Sequence, residues 1–122
     1  MKRDLSLIRD ILLETEKLDE EGAYGYEIKE YSQAEINYNV WLLIDAGYLH
    51  GQVTDYASGG SSIRVRSMTW KGHDYLDAVR DKAIWTKVRR AVEDSFGTAS
   101  LDTVKHLCTT MIEQYLTSKL GL

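Results

Sequence analysis

The chain has 122 residues, of which 43% are hydrophobic and 28% are charged, and its formal net charge is −4. This length and composition indicate a folded chain with a real core and exclude intrinsic disorder, a membrane-spanning helix of about 18 apolar residues and a Pro-rich linker. The charged N-terminus does not resemble a signal peptide, and the single cysteine, Cys108, cannot form an internal disulfide, so we expect a cytoplasmic protein. Taken alone, the acidic balance argues against a nucleic-acid partner.

The N-terminal third predicts a helix followed by an extended connection. Asp4 is placed to cap the first helix, whose apolar residues recur at helical spacing as far as Leu18. Residues 22–25 (Gly-Ala-Tyr-Gly) indicate a turn. Residues 26–31 alternate like a short strand, although a helical turn also fits them.

A second helix is predicted from a capping box. Ser32 is followed three residues later by Glu35, so the hydroxyl and the carboxylate can each accept a backbone N–H of the first turn. The apolar residues Ile36, Val40 and Leu43 continue on one face to about residue 46. Gly47 then occupies the position where a left-handed cap is favoured.

Two strands and a Gly/Ser-rich tip follow this helix. Residues 48–56 and 63–68 have strand-like patterns, and residues 57–62 (Ala-Ser-Gly-Gly-Ser-Ser) form the tip of a hairpin. Strict alternation in the second strand predicts two faces. One face carries Ile63, Val65 and Ser67, and the other carries Arg64, Arg66 and Met68.

The C-terminal half predicts helices only. Thr69 caps a helix that either continues or restarts beyond residue 80, and Gly97 ends this region. Ser100 or Asp102 begins a last helix with a wide apolar stripe. We expect that stripe to cover the first helix and also to form a homodimer seam, since its three-four spacing suits helix pairing. Its residues are Leu101, Val104, Leu107, Cys108, Met111, Ile112, Tyr115, Leu116 and Leu120.

This order of elements predicts an α+β fold of the winged helix-turn-helix type, with a helix, a short strand, a helix, a two-stranded wing and a C-terminal helical extension. We assign residues 1–80 to the winged-helix-like domain. Residues 81–122 are assigned to C-terminal helices that pack on this domain or form a dimer seam. One departure is evident, because residues 19–31 have room for one short helical turn at most, so the helix that normally precedes the recognition helix is minimal or missing.

A run at the end of the hairpin resembles a junction found in many winged-helix proteins. Residues 68–76 match apolar-Thr-x-x-Gly-x-x-x-Leu, in which Thr69 caps the helix and Gly72 lets its first turn lie close to the sheet. Over residues 1–90 the chain also resembles a family of short, uncharacterised bacterial and prophage-encoded proteins with a domain of unknown function. The shared features are the Met-Lys-Arg-Asp start, Tyr-Ser-x-x-Glu-Ile at 31–36, Leu-Leu-x-x-Ala-Gly-Tyr at 42–48 and Trp-x-Gly-His-Asp-Tyr-Leu-Asp at 70–77. This resemblance implies the fold and no activity.

DNA is the first partner that the sequence indicates. Residues 1–56 carry a net charge of −7, residues 57–92 carry +5 and residues 93–122 carry −2, so the wing and the following helices are basic. Wing residues Arg64 and Arg66, with Lys71, are candidates for phosphate contacts, unless these charges pair with the acidic half of the chain. Gln33 and Asn37 on the second helix are candidates for reading adenine edges, although that helix has no Lys or Arg.

The alternative is a protein-interaction module that uses the same fold without DNA binding. Tyr38 and Trp41 on the second helix are its candidate aromatic anchors. The three histidines and Cys108 lack metal-ligand spacing, and neither a P-loop nor a nucleophile elbow is present. We therefore expect no enzyme activity, no cofactor or metal, no small-molecule substrate and no membrane partner.

Overall fold

A computed structural model describes residues 1–18 and 26–122. Over these ranges the protein is α+β, with five α-helices and one two-stranded antiparallel sheet. The elements are α1 (Leu5–Glu16), α2 (Gln33–Asp45), β1 (Leu49–Asp55), β2 (Ser61–Met68), α3 (Trp70–Val79), α4 (Lys82–Phe96) and α5 (Leu101–Leu120). The chain forms two compact units, residues 1–73 and 74–122, and α3 runs from the first into the second.

Helix α1 begins at the predicted cap. The Asp4 carboxylate accepts a hydrogen bond from the backbone N–H of Leu7 at 2.9 Å, which satisfies a donor that has no partner within the helix. The apolar face of α1 is fully buried at Leu7, Ile8 and Ile11. This face packs against α2 and β2, and it forms the centre of the first unit's core.

The strand predicted over residues 26–31 is wrong, because this segment contains no strand in the structure. Tyr26 is buried, and its hydroxyl shares a 2.7 Å hydrogen bond with the hydroxyl of Thr15 on α1. Glu30 has a φ of 75°, a left-handed conformation that interrupts an extended run. Burial of Tyr26 against α1, together with a turn at Glu30, therefore takes the place of strand pairing in this segment. The turn predicted at residues 22–25 lies outside the described residues.

The capping box of α2 is confirmed. The hydroxyl of Ser32 accepts from the Glu35 backbone N–H, and the Glu35 carboxylate accepts from the Ser32 N–H, both at 3.1 Å. The helix ends at Asp45, and Gly47 follows with a φ of 83°. Gly47 therefore follows the helix as predicted and adopts the left-handed conformation, which glycine tolerates without strain.

A buried amide on α2 holds the N-terminal segment, and no sequence pattern indicated it. The side-chain oxygen of Asn39 accepts from the Asp4 backbone N–H at 3.0 Å. Its amide group donates to the carbonyls of Glu35 at 3.0 Å and Lys2 at 3.4 Å. Asn39 is 1% exposed, so these bonds compensate for burying a polar group and attach the chain start to α2.

The hairpin contains a β-bulge that changes the predicted faces of β2. His50 pairs with Ser67, but the next residue, Gly51, pairs with Val65, so the register passes over Arg66. An extra residue shifts the alternation of a strand. Met68 is consequently buried like Val65, and the prediction that Met68 shares a face of β2 with Arg64 and Arg66 is wrong.

The junction between β2 and α3 has the geometry that the sequence run predicted. The Thr69 hydroxyl accepts from the Gly72 N–H at 3.0 Å and donates to the Gly47 carbonyl at 2.6 Å. A Cβ placed on Gly72 would lie 2.2 Å from the carbonyl oxygen of Tyr48. Glycine is required because the first turn of α3 lies against the start of the hairpin.

The second unit contains two capped helices that pack together. The chain restarts as α4, with the Asp81 carboxylate accepting from the Ile84 N–H at 2.9 Å. Ser100, the first of the two predicted caps, begins α5 by accepting from the Thr103 N–H at 3.1 Å. Buried side chains in this unit include Tyr75, Leu76, Val79, Trp85, Val88, Val92, Leu101, Val104 and Cys108.

Candidate nucleic-acid interface

The outer side of α2 presents two amides that are joined to each other. Gln33 and Asn37 are both exposed, and the Gln33 amide nitrogen donates to the Asn37 side-chain oxygen at 2.8 Å. Gln33 keeps its own side-chain oxygen and a second N–H. Since an adenine edge needs one donor and one acceptor, Gln33 can still read it while Asn37 fixes its orientation.

Two aromatic side chains lie further along α2. Tyr38 is half-buried and Trp41 is 43% exposed. Their ring centroids are 6.1 Å apart, with an interplanar angle of 31°. The predicted aromatic anchors therefore form one continuous surface, and its apolar character is suited to burial against another macromolecule.

A crevice of about 240 Å³ joins α2 to the hairpin. It is lined from α2 by Asn37 and Val40, from β2 by residues 61–63 and Val65, and at one side by Tyr26. Its volume is below the roughly 300 Å³ at which pockets for drug-sized ligands begin. The structure thus brings a predicted base-reading residue beside the predicted wing, within the first unit.

The solvent-facing side of the hairpin is polar and carries Arg64. Because Ile63 and Val65 belong to the row that faces the crevice and the core, Arg64 belongs to the opposite row. The register places Arg64 opposite Gln52. The same row contains His50, Gln52, Thr54, Ser62, Arg64 and Ser67, none of which is acidic.

Arg66 and Lys71 have different surroundings from Arg64. Arg66 is exposed, but it occupies the bulge and is not on the regular face of the strand. Lys71 donates to the Ala46 carbonyl at 3.3 Å, and its ammonium lies 4.5 Å from the centroid of the Tyr48 ring. Lys71 therefore stabilises the C-terminal end of α2, where the helix dipole favours a cation, and is partly committed to the fold.

Three exposed residues near these candidates were missed by the sequence reasoning. His50 and Gln52 belong to the Arg64 row only because of the strand register, which strand patterns alone do not provide. Trp70 is 83% exposed at the first position of α3. The sequence did contain a signal for Trp70, because its helical position lies outside the apolar stripe of Leu76 and Val79, and this indicates an exposed side chain.

Comparisons with known proteins identify relatives without a described activity. The model of a family described as "Hypothetical protein (DUF2513)" matches residues 2–99, which end before α5. An uncharacterized protein of Haemophilus influenzae is 32% identical over 124 residues, covering 95% of this chain and 99% of that protein. No solved structure matches significantly. Among the helices that the structure describes, none has the length and apolar character needed to cross a membrane.

Proposed function

The chain belongs to the DUF2513 family of hypothetical proteins, and we propose that it is a winged-helix protein that binds duplex DNA as a small bacterial or prophage regulator. The observation that carries this proposal is the crevice shared by Asn37 of α2 and by β2. It places the polar outer side of one helix next to a hairpin whose opposite face presents Arg64. These are the two parts with which a winged-helix protein contacts DNA.

The arrangement of the first unit supports the assignment of these parts. Helix α1 packs on α2 and β2, and α2 packs on β1. We assign α2 as the recognition helix and the β1–β2 hairpin as the wing. Within the described part of this connection, residues 26–31 form a turn and no helix, and residues 19–25 lie outside the described residues.

Charge determines how such an interface works. Helix α2 contains Glu35 and Asp45 and no Lys or Arg, so it has no cationic side chain for the charge-neutralising phosphate contacts that supply much of DNA affinity. Arg64, and to a lesser extent Arg66, supply these contacts from the wing. Gln33 and Asn37 then select bases after the wing has positioned the duplex.

The distal part of α5 supports a homodimer as the DNA-binding form. Residues 113–122 are all exposed, and Leu116 and Leu120 have exposed fractions of 47% and 70%. An apolar helix surface of this kind is suited to pairing with a second copy through knobs-into-holes packing. We expect Leu116→Lys with Leu120→Lys to halve the mass measured by light scattering, whereas Ser118→Lys leaves it unchanged. A monomeric wild type would contradict this dimer.

The DNA proposal is tested by fluorescence anisotropy with a labelled duplex of about 30 base pairs, roughly three helical turns. Arg64→Ala with Arg66→Ala should weaken binding and reduce the slope of log affinity against log salt by about 0.9 for each phosphate that the wing no longer neutralises. Lys29→Ala with Lys119→Ala removes the same charge elsewhere and should leave the slope unchanged. No binding by the wild type at about 50 mM salt would refute the proposal.

The second candidate function is a protein-interaction module, favoured by the continuous surface of Tyr38 and Trp41. In this case Trp41→Ala abolishes capture of a specific partner while Arg64→Ala does not. If the protein binds DNA instead, Arg64→Ala should weaken duplex affinity more than Trp41→Ala does.

A further inference from the structure

Helix α4 in the second unit carries a strongly basic face. An open depression on its surface is lined by Lys82, Lys87 and Arg90, together with the small residues Ala83 and Thr86. All three cations belong to one 15-residue helix. Among the described residues, no carboxylate lines this depression. We call these three residues the α4 basic face.

Neighbouring cations differ from the α4 basic face in their ion pairs. Arg89 pairs with Glu93 at 3.1 Å on the same helix, and Arg80 pairs with Asp77 at 3.0 Å on α3. Within residues 1–18 and 26–122, no carboxylate lies within ion-pair distance of the α4 basic face. Its charge is therefore available to an anionic partner, whereas the charge of Arg80 and Arg89 is locally compensated.

We propose that the α4 basic face binds the phosphate backbone of duplex DNA as a second contact, separate from the wing. This inference rests on the proposed function and extends it to a surface in the second unit. From Lys82 to Arg90 the helix rises about 12 Å, and duplex DNA presents one phosphate charge for each roughly 1.7 Å of its axis. Several phosphates are thus within reach of the three side chains.

The composition of the face favours nucleic acid over an acidic protein. Protein interfaces are typically anchored by buried Trp, Tyr and Arg side chains. Among the described residues that line this depression, none is aromatic and Arg90 alone is of these types. Ala83 and Thr86 are small, so a sugar–phosphate backbone can approach the helix closely between the cations. Arg90 can bind a phosphate with two parallel N–H donors, and the two lysines act as compact charges beside it.

The experiment compares two variants of the full chain with the wild type. The first replaces the α4 basic face (Lys82→Ala, Lys87→Ala and Arg90→Ala), and the matched control replaces three exposed lysines elsewhere (Lys2→Ala, Lys29→Ala and Lys119→Ala). Duplex affinity is measured by anisotropy at several salt concentrations between about 50 and 200 mM. Circular dichroism establishes that both variants retain their helix content.

The expected result is a reduction of the salt slope by roughly 2 to 3 for the α4 variant, which corresponds to about 0.9 for each phosphate contact. The control should keep the wild-type slope. An unchanged slope in the α4 variant overturns the inference. Equal weakening of binding to poly-glutamate and to DNA also overturns it, because the face would then be a general anion surface suited to acidic proteins.

Failure of this inference is distinguishable from failure of the proposed function. The wing variant (Arg64→Ala with Arg66→Ala) is measured in the same assay. If the wing variant loses affinity and the α4 variant does not, the wing-led interface stands and the α4 contact is wrong. If only the α4 variant loses affinity, the α4 contact stands and the wing-led interface is wrong. If the wild type binds no duplex at all, both are refuted.

Discussion

Replacing Gly72 by alanine sets two physical effects against each other. Gly72 is in the first turn of α3, where alanine would stabilise a helix by about 0.5–1 kcal/mol because glycine loses more backbone entropy on folding. The added Cβ would lie 2.2 Å from the Tyr48 carbonyl oxygen and 2.5 Å from Cγ of Met68. Helix propensity predicts stabilisation, and packing predicts destabilisation.

The size of the destabilisation by Gly72→Ala depends on which neighbour of the added Cβ can move. The flexible Met68 side chain can change rotamer, but the Tyr48 carbonyl is backbone and accepts the Thr69 N–H at 3.1 Å. The first turn of α3 must therefore move away from the strand and weaken that hydrogen bond. Overpacking costs about 1–3 kcal/mol and a hydrogen bond about 1 kcal/mol, so after the propensity gain we expect a net loss of about 1–3 kcal/mol.

Urea denaturation followed by circular dichroism measures this loss. The matched control is His73→Ala, which adds no atoms and changes an exposed residue in the same turn, so it should shift the free energy of unfolding by less than about 0.5 kcal/mol. If Gly72→Ala proves neutral or stabilising, the close approach of α3 to the hairpin is not a constraint and the reasoning is refuted.

Three further predictions concern groups that are wholly or partly removed from solvent. Asn39→Ala should cost about 1–3 kcal/mol in urea denaturation, because the Asp4 N–H and the Lys2 carbonyl lose their buried partner; a cost below about 0.5 kcal/mol, the size expected of a surface change, would contradict this. Burial raises the pKa of the Cys108 thiol to about 11, so iodoacetamide should label the native protein at neutral pH far more slowly than the urea-unfolded chain. Equal labelling rates for the native and the unfolded protein would contradict this prediction. Burial and the nearby Asp4 carboxylate raise the pKa of the Tyr31 phenol from 10 to about 12. Because the unfolded chain loses this proton first, the Tyr31 contribution to stability is complete below pH 10 and is lost as the pH rises through 12. Stability should therefore fall less steeply over that interval in Tyr31→Phe than in the wild type.

Local signals in the sequence were sufficient for the starts of α1, α2 and α3. The Asp4 cap, the capping box of Ser32 and Glu35, and the Thr69 cap each depend on residues within one turn of the helix they begin. Such hydrogen bonds are determined by neighbours in the chain, so residue type and spacing predict them.

The features that the sequence analysis missed depend on residues distant in the chain. The bulge at Arg66 depends on how β2 pairs with β1, and the alternation of residues within β2 does not indicate it. Asn39 is buried because Lys2 and Asp4 reach it from 35 or more residues away. The segment 26–31 has a strand-like pattern, but burial of Tyr26 against α1 determined its conformation.

The exposure of the candidate residues was easier to predict from the sequence than their geometry. Gln33, Asn37, Trp41 and Arg64 are exposed, as expected for residues on outer faces. The hydrogen bond between the Gln33 and Asn37 side chains is compatible with their i,i+4 spacing, but the sequence analysis did not predict it. The contact of Lys71 with the C-terminal end of α2 joins residues 25 positions apart, so charge counting gave no indication of it.

An NMR titration of the ¹⁵N-labelled protein with unlabelled duplex DNA tests the central claim most directly, because it reports on α2 and the wing in one measurement. The account predicts that shifts of the Gln33 and Asn37 side-chain amides change together with the backbone amides of Gln52 and Arg64, and that these changes diminish as salt is added. A spectrum that stays unchanged at low salt, or that changes only around Tyr38 and Trp41, would contradict the assignment of this surface to DNA.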